Sequence, residues 1–214
     1  WTEGNSVDEL AAYIAYALRI LKNVGLHCEG ITTTGGFGRG ALAELSQAVR
    51  EACRDVYGVE IPHYFRNVIS EGPESVAPRV EYARNLDGSD PDCVVSIIGC
   101  TGDWTGNWDA TGKPDPDRYI TADLQKGRLV EVIDRGEPAV LVSHWTGIHY
   151  HGQELGFQAF QEVVRRLHQR YGDRIRWMKL SEIARYWAAK ELTRIEQDNS
   201  ELRLYAPFAC PSFT

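Results

Sequence analysis

The chain has 214 residues, of which 43% are hydrophobic and 25% are charged, and its net charge is −7. This length is sufficient for one large domain with a buried core, and the acidic balance disfavours a surface for nucleic acids or anionic membranes. No apolar run approaches the length of a membrane span and no secretion signal is visible, so the sequence identifies no cellular compartment. The five cysteines form no C-x-x-C pair, which argues against a zinc knuckle or a disulfide framework.

Helix-like and strand-like segments alternate along most of the chain. Ser6 and Glu9 form a capping box, which predicts the start of a helix that ends near Gly25. The β-branched run 30–34 leads into a glycine cluster, where the backbone can approach a ligand closely. This alternation is typical of α/β folds with a parallel sheet or barrel. Further helices are predicted at 41–57, 117–135, 154–171 and 181–195, and further strands at 59–65, 80–83, 93–98, 140–144 and 175–179.

Two segments stand apart from this alternation. The segment 70–91 is rich in glycine, proline and acidic residues, and is predicted to be a long excursion with one short strand; long loops of this kind in compact domains are often functional. Residues 198–214 are predicted to be a β-prone C-terminal tail or the start of a further element. The remaining residues, 1–197, are assigned to one α/β domain.

The segment that begins at Pro138 carries the first candidate site. Its apolar, β-branched run is typical of a strand buried on both faces, and it ends in Ser143, His144 and Trp145. Reactive side chains of α/β proteins lie where the strands end, and a histidine there can exchange a proton near neutral pH. The alternative is a core histidine that only caps the strand.

A second candidate site follows the predicted strand 93–98. The polar, glycine-rich loop after it contains Asp103, Trp104, Trp108 and Asp109. A carboxylate at a strand end can orient a histidine, hold a metal or act as a base, and exposed indoles can bind sugar rings. The alternative is that the tryptophans only close the end of a barrel. We expect Asp103 and the histidine of the first site at one end of the sheet, hydrogen-bonded directly or through one water.

Other histidines and a threonine are weaker candidates. Thr33 and His63 could contact a substrate, although a β-forming residue and a packed strand end are the simpler interpretations. His149 and His151 have no carboxylate at ligand spacing, so the sequence assigns no metal ligand.

The order of these features resembles the polysaccharide deacetylase family: a capped helix, a short strand with a Gly-rich turn, an Asp-Trp loop and a strand ending in Leu-Val-Ser-His. The segment 177–190 resembles the last strand and helix of an uncharacterised, divergent bacterial branch of that superfamily. The resemblance spans roughly 6–195 and implies a distorted (β/α) barrel with parallel strands inside and helices outside. If the chain is truncated, this barrel is open or completed by a partner.

The resemblance also implies roles for the candidate residues. The family's late Leu-x-His motif falls on His144, which would then protonate the leaving amine or alcohol, and its Asp-Trp region falls on Asp103, the partner of that histidine. The family's substrate-contacting Arg-x-Pro-Tyr motif falls near 32–38, where its arginine and proline are absent. The Asp-Asp and His-x-x-x-His motifs that supply the family's base and zinc ligands do not occur. The chain as it stands is therefore predicted to bind zinc poorly and to show little deacetylase activity.

The sequence thus favours a deacetylase-like hydrolase that acts on the C–N or ester bond of an acetylated or related carbohydrate. A non-catalytic carbohydrate-binding protein on the same barrel, using Trp104, Trp108 and Trp145, is the first alternative. The second is a structural or assembly domain of a longer chain. A carbohydrate is the expected partner, nucleic acids and membranes are not expected, and a homo-oligomer is compatible with the sequence.

Overall fold

A computed structural model describes residues 4–33, 41–103, 109, 111–149, 152–198 and 201–210. The described residues belong to two compact units. Unit 1 comprises the described residues within 1–66, 78–97 and 178–214, and unit 2 comprises those within 67–77 and 98–177. The helices are α1 (Val7–Asn23), α2 (Leu42–Tyr57), α3 (Arg128–Asp134), α4 (Trp145–His149), α5 (Leu155–Tyr171) and α6 (Leu180–Leu192), and the strands are β1 (Gly30–Thr32), β2 (His63–Val68), β3 (Arg79–Arg84), β4 (Asp92–Gly99), β5 (Arg194–Asp198) and β6 (Glu201–Tyr205).

A four-stranded sheet in the order β1-β2-β4-β3 organises the fold. β1 and β2 are parallel, whereas β3 lies antiparallel to β4. Val95 N donates to the Pro62 carbonyl, and Ile69 N donates to the Gly99 carbonyl. The residue numbers increase in the same direction along both strands, so β2 and β4 also run parallel. A mixed α/β fold with a largely parallel sheet is therefore confirmed. The sheet of the described residues is open, with β1 and β3 at its edges, and does not close into a barrel.

The core of unit 1 lies between α1, α2 and the sheet. The predicted capping box begins α1: Ser6 Oγ accepts from Glu9 N at 3.2 Å, and the Glu9 carboxylate accepts from Ser6 N at 2.8 Å. Ser46 on α2 and Tyr64 on β2 share a buried hydrogen bond of 3.2 Å, so the helix is tied to the strand as well as packed on it. The fully buried apolar side chains of this core include Leu10, Leu45, Val49, Cys53 and Val94.

Buried arginines organise unit 2. Arg128, at the start of α3 and only 7% exposed, donates to the carbonyls of Cys100, Ile69 and Gly72. Arg166 on α5 bonds the Ile120 carbonyl at 2.6 Å. These bonds satisfy carbonyls of irregular segments, which cannot be paired within a regular sheet. The apolar core of this unit includes Ile98, Ile120, Leu129, Val132 and Leu167.

Several predicted elements are wrong in type or extent. The predicted strand 59–65 is observed only from His63 onward, as β2, and the predicted helix 181–195 ends with α6 at Leu192, before β5 begins. The predicted strand 140–144 makes only one parallel bridge, because Val142 N bonds to the Thr101 hydroxyl instead of a ladder carbonyl. The predicted strand 175–179 pairs with no strand of the described residues: Trp177 is 63% exposed, and Lys179 N donates to Glu182 in the cap of α6. The predicted helix 117–135 is interrupted at Gly127, whose φ of +116° is outside the helical region. The helical part after Gly127 is α3.

The C-terminal segment forms a β-hairpin. β5 and β6 pair antiparallel from Arg194 opposite Tyr205 to Asp198 opposite Glu201. The hairpin thus begins four residues before the tail assigned from the sequence. Among the described helices, none combines the length and the apolar character needed to cross a membrane.

Candidate functional site

Asp103 and His144 form the candidate site, which lies in unit 2. His144 Nδ1 is 2.6 Å from Asp103 Oδ2, so the expected contact between the two side chains is confirmed. The aspartate side chain is 10% exposed and the histidine side chain 51% exposed. The pair therefore combines a shielded carboxylate with an imidazole that solvent or a ligand can reach.

Backbone pairing between two short segments positions this pair. Cys100 N donates to the Val140 carbonyl at 2.8 Å, and Asp103 and Val142 form a parallel bridge. The Thr101 hydroxyl accepts from Val142 N at 3.3 Å. Because Asp103 lies in this pairing and His144 follows its bridge partner Val142 by two positions, the short pairing is enough to bring their side chains together.

The hydrogen bond also determines which ring nitrogen can do chemistry. With Nδ1 of His144 directed at a carboxylate, the favoured neutral tautomer carries its proton on Nδ1. Proton exchange with a bound molecule then goes through Nε2. The carboxylate of Asp103 stabilises the imidazolium that forms when Nε2 takes a proton. This arrangement suits a general base that becomes a general acid within one reaction cycle.

A polar cavity of about 380 Å³ lies beside Asp103. Its volume is within the range of small-molecule sites, roughly 300–1,000 Å³. Burial raises the pKa of Tyr119, one of its lining residues, so the phenol stays protonated at neutral pH. The lining combines hydroxyls, backbone groups and charged side chains of both signs: Ser70, Glu71, Gly72, Thr101, Gly102, Asp103, Arg118, Tyr119, Gly127, Arg128 and Glu131.

Little of this lining is evident from the sequence. Of these residues the sequence predicts a role only for Asp103, although the excursion 70–91, a long loop of the kind that is often functional, does contribute Ser70, Glu71 and Gly72. A usable signal was Arg128, a charged residue that directly follows a glycine and precedes the apolar run Leu-Val. Such an arginine inside an apolar helix face must find acceptors nearby.

The aromatic candidates are only partly described. Trp145, the first residue of α4, is 74% exposed. Gly156 of α5 contacts α4 so closely that an added Cβ would lie 2.3 Å from the Gly147 carbonyl oxygen, which fixes the short helix against the longer one. Trp104 and Trp108, with His151, lie outside the described residues.

Asp109 accepts from the amide and hydroxyl of Thr111 in a local turn, and these bonds lower its pKa.

Thr33 and His63 belong to unit 1, where each has a structural environment. Thr33 follows β1, and its hydroxyl bonds the Phe65 and Arg66 carbonyls at 3.0 Å each. His63 begins β2 and is 8% exposed, against Gly30, where an added Cβ would lie 2.7 Å from its ring. His63 is therefore a packed strand end, and the substrate-binding role predicted for it is not supported by its position.

The burial of His63 predicts a dependence of stability on pH. Burial lowers the pKa of His63 from 6.5, with a smaller opposing effect of Glu29, and its Nδ1 has no hydrogen-bond partner among the described residues. Since the folded state favours the neutral ring, its contribution to stability is complete above the unfolded pKa and is lost as the pH falls through the folded value. Urea unfolding at about pH 7.5 and about pH 5.5 should therefore show a larger loss of stability for the wild type than for His63→Gln. Equal losses in the two proteins would contradict this assignment.

The zinc implied by the family resemblance does not fit the donors present. Within the described part of the chain, no group of three or more His, Cys, Asp or Glu side chains could hold a metal ion. Asp103 and His144 supply two donors, and the Nδ1–Oδ2 bond joins them to each other. A catalytic zinc needs about three protein ligands with an open position, so no step is assigned to a metal.

Comparison with known proteins adds no family to this site. Neither the protein-family models nor the curated proteins contain a match to the sequence, and no solved structure matches the fold.

Proposed function

We propose that the chain is a hydrolase that removes an acyl group from a carbohydrate, with His144 and Asp103 as its proton-transfer pair. The observation that supports this most strongly is the 2.6 Å contact between an exposed imidazole and a shielded carboxylate, which itself lines a polar cavity. The proposal includes the fold implied by the family resemblance, a deacetylase-type barrel of which the open sheet would be a part.

In the proposed reaction, Nε2 of His144 takes a proton from a water molecule as the water oxygen attacks the acyl carbon. Asp103 stabilises the resulting imidazolium, and Arg118 supplies positive charge near the oxyanion that develops on the acyl oxygen. When the tetrahedral intermediate collapses, the bond between the acyl carbon and the sugar oxygen breaks. The imidazolium returns its proton to that sugar oxygen, so the products are a free acid and a sugar hydroxyl.

The donor set favours an ester over an amide as the substrate. General acid–base catalysis contributes about a hundred- to ten-thousandfold. An acetate ester needs less activation than an acetamide, whose leaving amine is much poorer. We therefore assign O-acetylated carbohydrate as the preferred substrate class.

The substrate class is tested by acetate release from two matched oligosaccharides, O-acetylated xylo-oligosaccharide and N-acetylated chito-oligosaccharide. The wild type should release acetate from the ester well above the buffer rate and only marginally from the amide. Faster release from the amide, or release dependent on added zinc, would show that the reaction has been assigned to the wrong bond or the wrong residues.

A non-catalytic carbohydrate-binding function is the second candidate, and the exposure of Trp145 favours it. An indole that is 74% exposed, directly after His144, is a surface on which a sugar ring can stack. Calorimetric titration of deacetylated xylo-oligosaccharide separates the two functions. For a binding protein, Trp145→Ala should lose binding while His144→Gln keeps it, and no acetate should be released from the acetylated ligand by the wild type.

A further inference from the structure

The hairpin β5–β6 is exposed along its whole length. All ten residues of the two strands are exposed, and in the described structure the strands pair only with each other. The chain is nevertheless held at both ends of the hairpin. Thr193 N bonds the Ala189 carbonyl before it, and Phe208, 1% exposed, is buried after it. The hairpin is thus an arm with fixed ends, and among the described residues no third strand joins either of its edges.

One face of this arm is apolar. Ile195 is opposite Leu204 and Gln197 is opposite Leu202, and cross-strand partners lie on the same face of a sheet. The three apolar side chains on this face are 68–69% exposed. A lone two-stranded hairpin is only marginally stable in water, whereas additional strands supply further apolar neighbours. The arm therefore presents both an open edge and an apolar face to a partner strand.

We propose that the partner is a second copy of this chain, paired antiparallel along β5 about a two-fold axis at Ile195. In this register Arg194 of each copy lies opposite Glu196 of the other, which gives two opposite-charge pairs on the polar face. On the apolar face, Ile195 lies next to its own symmetry mate, so the row Leu204–Ile195 continues across the axis. A two-fold contact of this kind stops at the dimer, because the β5 edge of each copy is occupied by the β5 edge of the other.

The charges and the apolar row together favour an axis at Ile195 over axes at Glu196, Arg203 and Leu202. Shifting the axis to Glu196 places two glutamates opposite each other, and an axis at Arg203 on β6 does the same with two arginines. An axis at Leu202 on β6 also matches Glu201 with Arg203, but the side chain behind each leucine is then Gln197. At Ile195 the side chain behind each isoleucine is Leu204, so the row across the axis is apolar throughout.

The mass of the chain in solution tests the proposal, by light scattering over a wide range of concentrations. The wild type should change reversibly between one chain, 24.1 kDa, and twice that mass. Arg194→Glu and Glu196→Arg should each weaken the dimer by roughly tenfold or more, since each creates two like-charge contacts. The double variant Arg194→Glu with Glu196→Arg should restore it, because the pairs re-form with reversed sign.

Two controls separate the contact between copies from effects inside one chain. Arg203→Glu places a like charge opposite Glu196 within the same hairpin but leaves the proposed contact, and Asp87→Asn removes only the exposed ion pair with Arg194. Both should dimerise like the wild type. A wild type that stays monomeric or forms open-ended assemblies, a double variant without rescue, or loss of the dimer in Arg203→Glu would each overturn the proposal.

Discussion

Replacing Asp103 with asparagine is expected to lower kcat for acetate-ester hydrolysis by about a hundred- to ten-thousandfold, with little change in KM. The carboxylate is 2.6 Å from His144 Nδ1 and is 10% exposed, so it acts on the ring rather than on solvent. The amide can present its NH₂ group to Nδ1 and so favour the other tautomer, with the proton on Nε2. An imidazole in that tautomer cannot take a proton from water.

The control for this variant is Asp109→Asn. Asp109 is a carboxylate close in sequence, but its bonds are to Thr111 in a local turn. Steady-state kinetics of both variants, with circular dichroism to verify the fold, should show a large loss of kcat only for Asp103→Asn. Similar losses for both variants, or a loss confined to KM, would mean that Asp103 binds substrate or supports the loop instead of orienting the histidine.

Replacing Arg128 with methionine is expected to lower the free energy of unfolding by about 3–5 kcal/mol, the largest stability effect that we predict. The guanidinium is 7% exposed and donates to the carbonyls of Cys100, Ile69 and Gly72. Methionine fills a similar volume but has no donor, so these carbonyls lose this partner, and the carbonyl of the fully buried Cys100 loses it where water reaches poorly. Each such unsatisfied group costs about 1–3 kcal/mol.

Arg118→Met is the matched control, because this arginine lines the same cavity but is exposed. It should change stability by less than about 0.5 kcal/mol, as is usual for surface positions. Urea unfolding followed by tryptophan fluorescence measures both variants. If Arg128→Met unfolds at the same urea concentration as the wild type, the carbonyls bonded by Arg128 have other donors in solution and the arginine does not organise unit 2.

Local patterns in the sequence predicted the elements that depend on local interactions. The capping box of Ser6 and Glu9, the left-handed Gly58 after α2 and the buried run of β4 each specify their structure within a few residues. The contact between Asp103 and His144 could be predicted because polar residues that follow neighbouring extended segments meet at one edge. Their catalytic roles, like the carbohydrate substrate, stay predictions.

Other features depend on contacts between distant residues, which the sequence does not display. The apolar run 138–142 has the composition of a buried strand, yet its neighbour is the irregular segment 100–103, where the Thr101 hydroxyl replaces a backbone acceptor. The cavity is lined by residues from three separate parts of the chain, near positions 71, 102 and 119–131. The hairpin shows the same limit, because a β-prone tail in the sequence does not reveal which strand it pairs with.

The most direct test of the proposed function is the initial rate of acetate release from O-acetylated xylo-oligosaccharide by the wild type and by His144→Gln, with equal folding of the two proteins verified. Glutamine has a similar length and can still hydrogen-bond, but it cannot carry a proton between water and the sugar oxygen. The proposal predicts release above the buffer rate for the wild type and a decrease of about a hundredfold or more for the variant. Equal rates in the two proteins would contradict the assignment of His144 as the proton-transfer residue.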